Sequence, residues 1–208
     1  MLNLLRRGKK NVPTLKKAQK MPELDDFLLN QDYEGAISVL NHKLRTIGSN
    51  PEQEESFQLW LGLCYYRLRK YEEAANVYNM MIEKGNLAPE IRLYLACCKY
   101  QLKQYLEAKK LVEKCPKSPL YTRLIVHVSL KLNDEKGILN HHNSFGTSTE
   151  DILSLAALNF SRMHYKAAQD EIQKVLQSSP NLTGLNIPLA TCYAKQELTD
   201  VAFTLVQH

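Results

Sequence analysis

A short phrase, an aromatic followed by two mostly polar or small residues and an alanine, recurs along the chain as Tyr33-Glu34-Gly35-Ala36, Tyr71-Glu72-Glu73-Ala74, Tyr105-Leu106-Glu107-Ala108 and Tyr165-Lys166-Ala167-Ala168. At a fixed distance upstream of three of these stands a large-small pair, Leu61-Gly62, Leu95-Ala96 or Leu155-Ala156, and a further pair, Leu189-Ala190, precedes Ala202. Successive alanines from Ala36 to Ala202 are 38, 34, 60 and 34 residues apart. A period of this size means one supersecondary unit repeated, with each unit burying its apolar face only against its neighbours.

Thirty-four residues is the tetratricopeptide period, in which an aromatic, Leu-Gly and Tyr mark a first helix and Ala, an aromatic and Pro mark a second. Residues 55–88 fit best, with Leu61, Gly62, Tyr65, Ala74 and Tyr78 in register and Asn86 where Pro is usual. Residues 149–182 supply Leu155, Ala156, Ala168 and Pro180, and residues 89–122 supply Leu95, Ala96 and Ala108. Small residues are needed there because paired helices approach closely only where no bulky side chain intervenes, so Gly62 or Ala96 is expected to receive the helix of Ala74 or Ala108.

The 60-residue interval hides a degenerate hairpin. Pro119 to Leu132 reads as a helix, with Leu120, Leu124, Val128 and Leu132 at every fourth place, and Asp134 to His142 as a shortened partner. At the start Pro22 opens a helix, with Glu23, Asp25 and Asp26 near its positive end. The expected fold is all-α, a right-handed α-solenoid. It comprises a basic leader over residues 1–20 and an array of about six hairpins over 21–208, the fourth degenerate and the last truncated. Such an array rarely stops without a polar capping helix, so a piece of a longer array is expected.

Composition narrows the function classes. With 44% apolar residues, 24% charged, 8 Gly and 8 Pro among 208, the chain is too apolar for disorder and too poor in turn formers for a many-stranded sandwich. The longest uncharged run, Val175 to Ala194, is broken by Ser178, Ser179, Pro180, Asn181, Gly184 and Pro188, which excludes a transmembrane span. The amino terminus lacks the order of a secretory signal, so the cytosol or a compartment open to it is expected. Net charge is +5, yet seven positive charges precede the first acid, Glu23, leaving 20 basic and 22 acidic residues beyond them. The basicity belongs to the leader.

Five cysteines form no framework, and no disulfide is expected. Cys64, Cys98 and Cys192 share the tenth repeat position with Leu158, which identifies them as small buried hydrophobes. Cys115 reads as a second-helix packing residue, and Cys97 alone lacks such an account. No metal site is expected, because no Cys-x-x-Cys or His-x-x-x-His spacing occurs and the adjacent His141-His142 would point about 100° apart on a helix, reading instead as a solvated entry to the next loop. Phosphate loops, Gly-x-Ser-x-Gly and spaced nucleophile-base sets are absent, so neither enzyme, cofactor nor small-molecule substrate is expected. The leader, with Leu2, Leu4 and Leu5 before Arg6 and Arg7, could meet nucleic acid or an anionic membrane, but it has no aromatic to stack on bases. A solvated leader or an acidic-partner contact is favoured, with no nucleic acid and no membrane insertion.

Surface recognition remains. First helices line the concave groove of such arrays, and register places Tyr66 and Arg67, then Tyr100 and Gln101, then Phe160 and Ser161 on it. Tyr66 and Tyr100 then form a ladder, or else pack between repeats, and exposure of the rings separates the two. Leu59, Leu63, Leu93 and Cys97 give the groove an apolar lining, unlike the Lys, Arg and Asn clamp that a co-chaperone receptor for acidic carboxyl-terminal peptides would want. An RNA-associated repeat protein would rest on the leader alone.

Several phrases resemble the intraflagellar transport protein 56 family. They are Pro22-Glu23-Leu24 leading to Asp32-Tyr33-Glu34-Gly35-Ala36-Ile37, then Lys114-Cys115-Pro116-Lys117-Ser118, Asn133-Asp134-Glu135-Lys136 and Thr149-Glu150-Asp151-Ile152-Leu153-Ser154-Leu155-Ala156. The last three are not repeat consensus and occur in the family's order. The resemblance covers about residues 9–208, the amino-terminal part of a longer family. It implies a non-enzymatic scaffold of the intraflagellar transport B complex, held by other B-complex subunits, carried indirectly by kinesin and dynein motors, and delivering motility-related cargo proteins. The implied location is the cilium or flagellum, the ciliary base and the cytoplasm.

Overall fold

The computed structural model describes residues 23–48, 50–85 and 88–207. The leader, the helix start at Pro22 and the Asn86 position lie outside the described residues. Among the described residues the chain is all-helical with no strand, an α-solenoid of six consecutive hairpins. These pair α1 (Leu24–Leu29) with α2 (Tyr33–Thr46), α3 (Pro51–Arg67) with α4 (Tyr71–Glu83), and α5 (Pro89–Gln101) with α6 (Tyr105–Val112). They continue with α7 (Pro119–Lys131) and α8 (Glu135–His142), α9 (Thr149–Ser161) and α10 (Tyr165–Ser178), then α11 (Asn186–Lys195) and α12 (Thr199–Gln207).

Helix α3 begins at Pro51, earlier than the repeat window at residue 55. The Asn50 side chain caps it by accepting from the Gln53 amide at 3.3 Å, and Pro51 supplies a first-turn residue with no amide to satisfy. The added turn accounts for the longer first alanine interval. In the 60-residue interval the contraction lies in the second helices, since α6 and α8 have 8 residues each against 13 in α4 and 14 in α10.

Every hairpin turns in the same way. Gln31, Arg69, Lys103, Asn133, Met163 and Glu197 hold φ between +54° and +65°, in the left-handed region. After each, the next amide reaches back to the first helix, as in Lys70 N to Tyr65 O, Asp134 N to Ser129 O and His164 N to Asn159 O, all at 2.9 Å. This is a Schellman closure without glycine. Five of the six residues pay the side-chain penalty of that region, while Asn133 tolerates it.

Three apolar clusters run end to end. The first joins α1 to α5, the second α5 to α9 and the third α9 to α12, so shared helices make one continuous, quasi-one-dimensional core. Cys64, Cys98, Cys192 and Leu158 are all buried, in keeping with a hydrophobic role. Gly62 receives α4, the helix of Ala74, through the Tyr78 ring: a Cβ on Gly62 would lie 2.5 Å from it. Cys115 is buried but stands in the turn after α6 rather than on that helix, its thiol donating to Leu111 O at 3.3 Å.

Candidate functional site

The first helices present an inner face whose openings follow from side-chain size. Between α3 and α5 lies a hollow of about 350 Å³, floored by Tyr78 and walled by Leu59, Trp60, Leu63 and Tyr94. Trp60 and Tyr94 remain 40% and 36% exposed, enough to offer aromatic surface to a partner. The equivalent space between α9 and α11 is about 570 Å³, lined mainly by Leu153, Ala157, Phe160, Ile172, Ile187 and Thr191. Counting along the repeat, Ala157 stands where α3 has Leu63, Ile172 where α4 has Tyr78, and Pro188 where α5 has Tyr94. Each smaller side chain enlarges the second hollow.

In the middle the face is closed, because α5 packs on α7 and α7 on α9. Leu93, expected to line the groove, is buried, and Cys97 is half-buried. Burial pushes the Cys97 thiol up to about 11 and the Cys98 thiol up to about 12. Both are therefore protonated at neutral pH, as suits thiols that serve in packing. Among the described residues no cluster of three His, Cys, Asp or Glu side chains could hold a metal ion.

Arg123 and His127 of α7 occupy the places held by Leu59 and Leu63 in α3. Arg123 Nη1 donates to Asp151 Oδ1 at 2.8 Å, and the buried Asp151 also accepts from Gly146 N through Oδ2 at 3.0 Å. The ion pair ties α7 to the start of α9, where Ser148 caps the helix. Burial, with a smaller contribution from Lys131, holds His127 below the usual histidine range. His141 and His142 end α8 at the entry to the following loop, half-buried rather than fully solvated, and the His141 ring meets Tyr121 edge-on at 5.7 Å.

The residues singled out by register are not brought together. Tyr66 packs edge-on against Tyr71 at 5.3 Å and Phe160 edge-on against Tyr165 at 5.3 Å, while Tyr100 meets Tyr105 at a tilt at 5.5 Å. Each ring braces its own hairpin at the turn rather than stacking in a ladder, and all three are half-buried. One link crosses repeats, Gln101 Nε2 donating to the Tyr66 hydroxyl at 3.2 Å. Arg67 and Gln101 are exposed. Phe160 and Ser161 line the larger hollow, whereas Leu153, Ala157, Ile187 and Thr191 were not anticipated there. The signal that finds them is the register of Leu59 and Leu63 carried forward past the irregular interval.

A family model described as intraflagellar transport protein 56 matches residues 58–208. The chain is 60% identical over 210 aligned residues to an intraflagellar transport protein 56 homolog of Caenorhabditis elegans, covering all of this chain and 37% of that relative. It thus spans little more than a third of that relative's length. Among solved structures, a thermophilic tetratricopeptide protein of Thermus thermophilus superposes with a TM-score of 0.69 at 15% identity, over 82% of this chain and 95% of that one. A tetratricopeptide repeat protein of Parabacteroides merdae gives 0.63 at 17% identity, over 88% and 75%. These structural likenesses speak for the fold alone.

Proposed function

Because this chain belongs to the intraflagellar transport protein 56 family, we propose that it acts as a non-enzymatic scaffold of the intraflagellar transport B complex. In that role it holds other B-complex subunits and motility-related cargo proteins in the cilium or flagellum, and meets the motors only through them. The observation that supports this reading beyond kinship is the inner face, with two apolar hollows in equivalent places. Apolar, preformed concavities flanked by aromatic rings suit side chains of a partner helix or extended segment. Tyr66, Arg67, Tyr100, Gln101 and Phe160 lie along the same first helices and are the proposed flanking contacts.

The test is recovery of B-complex subunits from ciliated cells by the chain, compared with an Ile187→Asp variant that places a charge in the larger hollow and a Tyr66→Ala, Tyr100→Ala double variant. Wild-type chain is expected to retain the subunits, and Ile187→Asp to lose them. Equal recovery by all three would remove the inner face from the reading, and no recovery by the wild type would remove the scaffold role from this part of the family.

A further inference from the structure

The outer side of the array carries a different kind of opening. On α11 the long Tyr193 side chain reaches α10, its hydroxyl accepting from Gln169 Nε2 at 3.2 Å and Gln173 Nε2 at 2.9 Å. At the same repeat position α7 has Ser129. A hollow of about 280 Å³ opens there between α6, α7 and α8, with Ser129 on its lining. The Ser129 side chain is fully buried, and its hydroxyl has no hydrogen-bond partner among the described residues. A buried hydroxyl with nothing to bond is costly, and one that faces a polar opening is a donor in search of an acceptor.

The charged lining of the hollow sets two lysines, Lys109 and Lys136, against two carboxylates, Glu113 and Asp134, so any excess of charge comes from the stretch around it. Asp134 on its wall is already satisfied, Oδ2 accepting from Lys109 Nζ at 2.6 Å and Oδ1 from Gly137 N at 3.0 Å. Lys136 lines the hollow and makes no ion pair among the described residues. The surrounding stretch is unbalanced. From Glu23 to Cys98 there are seven basic and twelve acidic side chains, whereas from Lys99 to His142 there are nine basic and four acidic. All four of those acids are paired, Glu107 with Lys99, Glu113 and Asp134 with Lys109, and Glu135 with Arg162. Lys110 on α6 and Lys114 and Lys117 after it are exposed and make no ion pair among the described residues, and Lys117 acts electrostatically on His141 of the lining.

We propose that this hollow docks an acidic segment of a partner protein, one aspartate or glutamate side chain of which enters it to accept from the Ser129 hydroxyl and Lys136. The flanking lysines then meet the remaining carboxylates. A singly charged carboxylate fits better than a phosphate, because Glu113 and Asp134 on the wall would oppose a group of nearly twice the charge. The site lies on the opposite side of α7 from Arg123 and stands independently of the inner-face reading.

Fluorescence anisotropy with a labelled oligoglutamate peptide tests it, using an oligoglutamine peptide and a single-stranded oligonucleotide for comparison. Oligoglutamate is expected to bind in a salt-sensitive way and oligoglutamine not to bind. Ser129→Ala, which keeps the volume and deletes only the donor, and Lys136→Gln are each expected to weaken binding roughly tenfold, the scale of one hydrogen bond to a charged group. Lys195→Gln, distant on α11, is expected to leave it unchanged, and circular dichroism checks that each variant is folded. Absence of oligoglutamate binding at low salt, wild-type affinity in both hollow variants, or tighter binding of the oligonucleotide would each overturn the proposal.

Discussion

The fourth and fifth hairpins share a backbone and differ in how they fill it. Both turn through a left-handed residue, Asn133 or Met163, followed by the same 2.9 Å closure onto the first helix. In the fifth, Ala156 and Ala168 face each other through small side chains and Phe160 braces Tyr165. In the fourth, Val126 and Ile138 take the two alanine places, both buried, while Leu130 and Glu135 take the places of the two rings. Helix α7 is buried on most of its circumference, with seven buried residues, against three in α9. The comparison teaches that the hairpin tolerates different notches and braces provided its turn closes and its volume is conserved. The space the fourth hairpin fails to fill on its outer side becomes a polar hollow, while the fifth leaves its opening on the inner side.

The largest effect that would break this comparison comes from giving the fourth hairpin the fifth's alanine. Ile138→Ala is expected to cost about 3 to 4 kcal/mol in urea unfolding, as for a buried isoleucine whose neighbours cannot collapse. A loss below about 1 kcal/mol would show that Ile138 is not the volume that replaces the repeat notch. Arg123→Met should follow at about 3 kcal/mol, because it strands the buried Asp151 carboxylate between α7 and α9. If unfolding midpoints are unchanged, the closure of the inner face in the middle of the array has another cause.

On the regular side, Gly62→Ala is expected to cost about 2 kcal/mol by overpacking against the buried Tyr78 ring. The turns give the smaller, sharper contrast. Met163→Gly should stabilise by about 0.5 to 1 kcal/mol, and Asn133→Gly should change little, since asparagine already accepts the left-handed region. Equal gains at both would remove the distinction between the two turns. The least effect is in pH dependence. Burial depresses His127 in the folded chain, so its contribution is present above the unfolded value of about 6.5 and is lost as pH falls through the lower folded value. Wild-type stability should therefore drop more steeply on acidification than that of His127→Gln, and parallel curves would contradict the depressed histidine.

The all-helical stack and the pairing of Leu-small with aromatic-x-x-Ala are legible from the sequence because each depends on local volume, which residue identity specifies. Pro119 to Leu132 and Asp134 to His142 were found even without the consensus, through periodicity and caps. The candidate site was legible only in part. Phe160 lines an opening, but Tyr66 and Tyr100 fold back on the tyrosine after their own turn, and Leu93 is covered by the approach of α7. Register states which side a residue occupies and is silent on how far the neighbouring first helix stands.

Repetition in the amino-acid order was sufficient to determine that this chain is a stack of two-helix units, since small residues at fixed intervals permit only that close approach. Where the stack opens was decided in three dimensions. An opening is a difference between volumes on three separate helices, as with Leu63, Tyr78 and Tyr94 against Ala157, Ile172 and Pro188. Likewise, the consequence of Ser129 depends on the hollow that α6, α7 and α8 together leave beside it. Such differences arise only once distant segments are packed side by side.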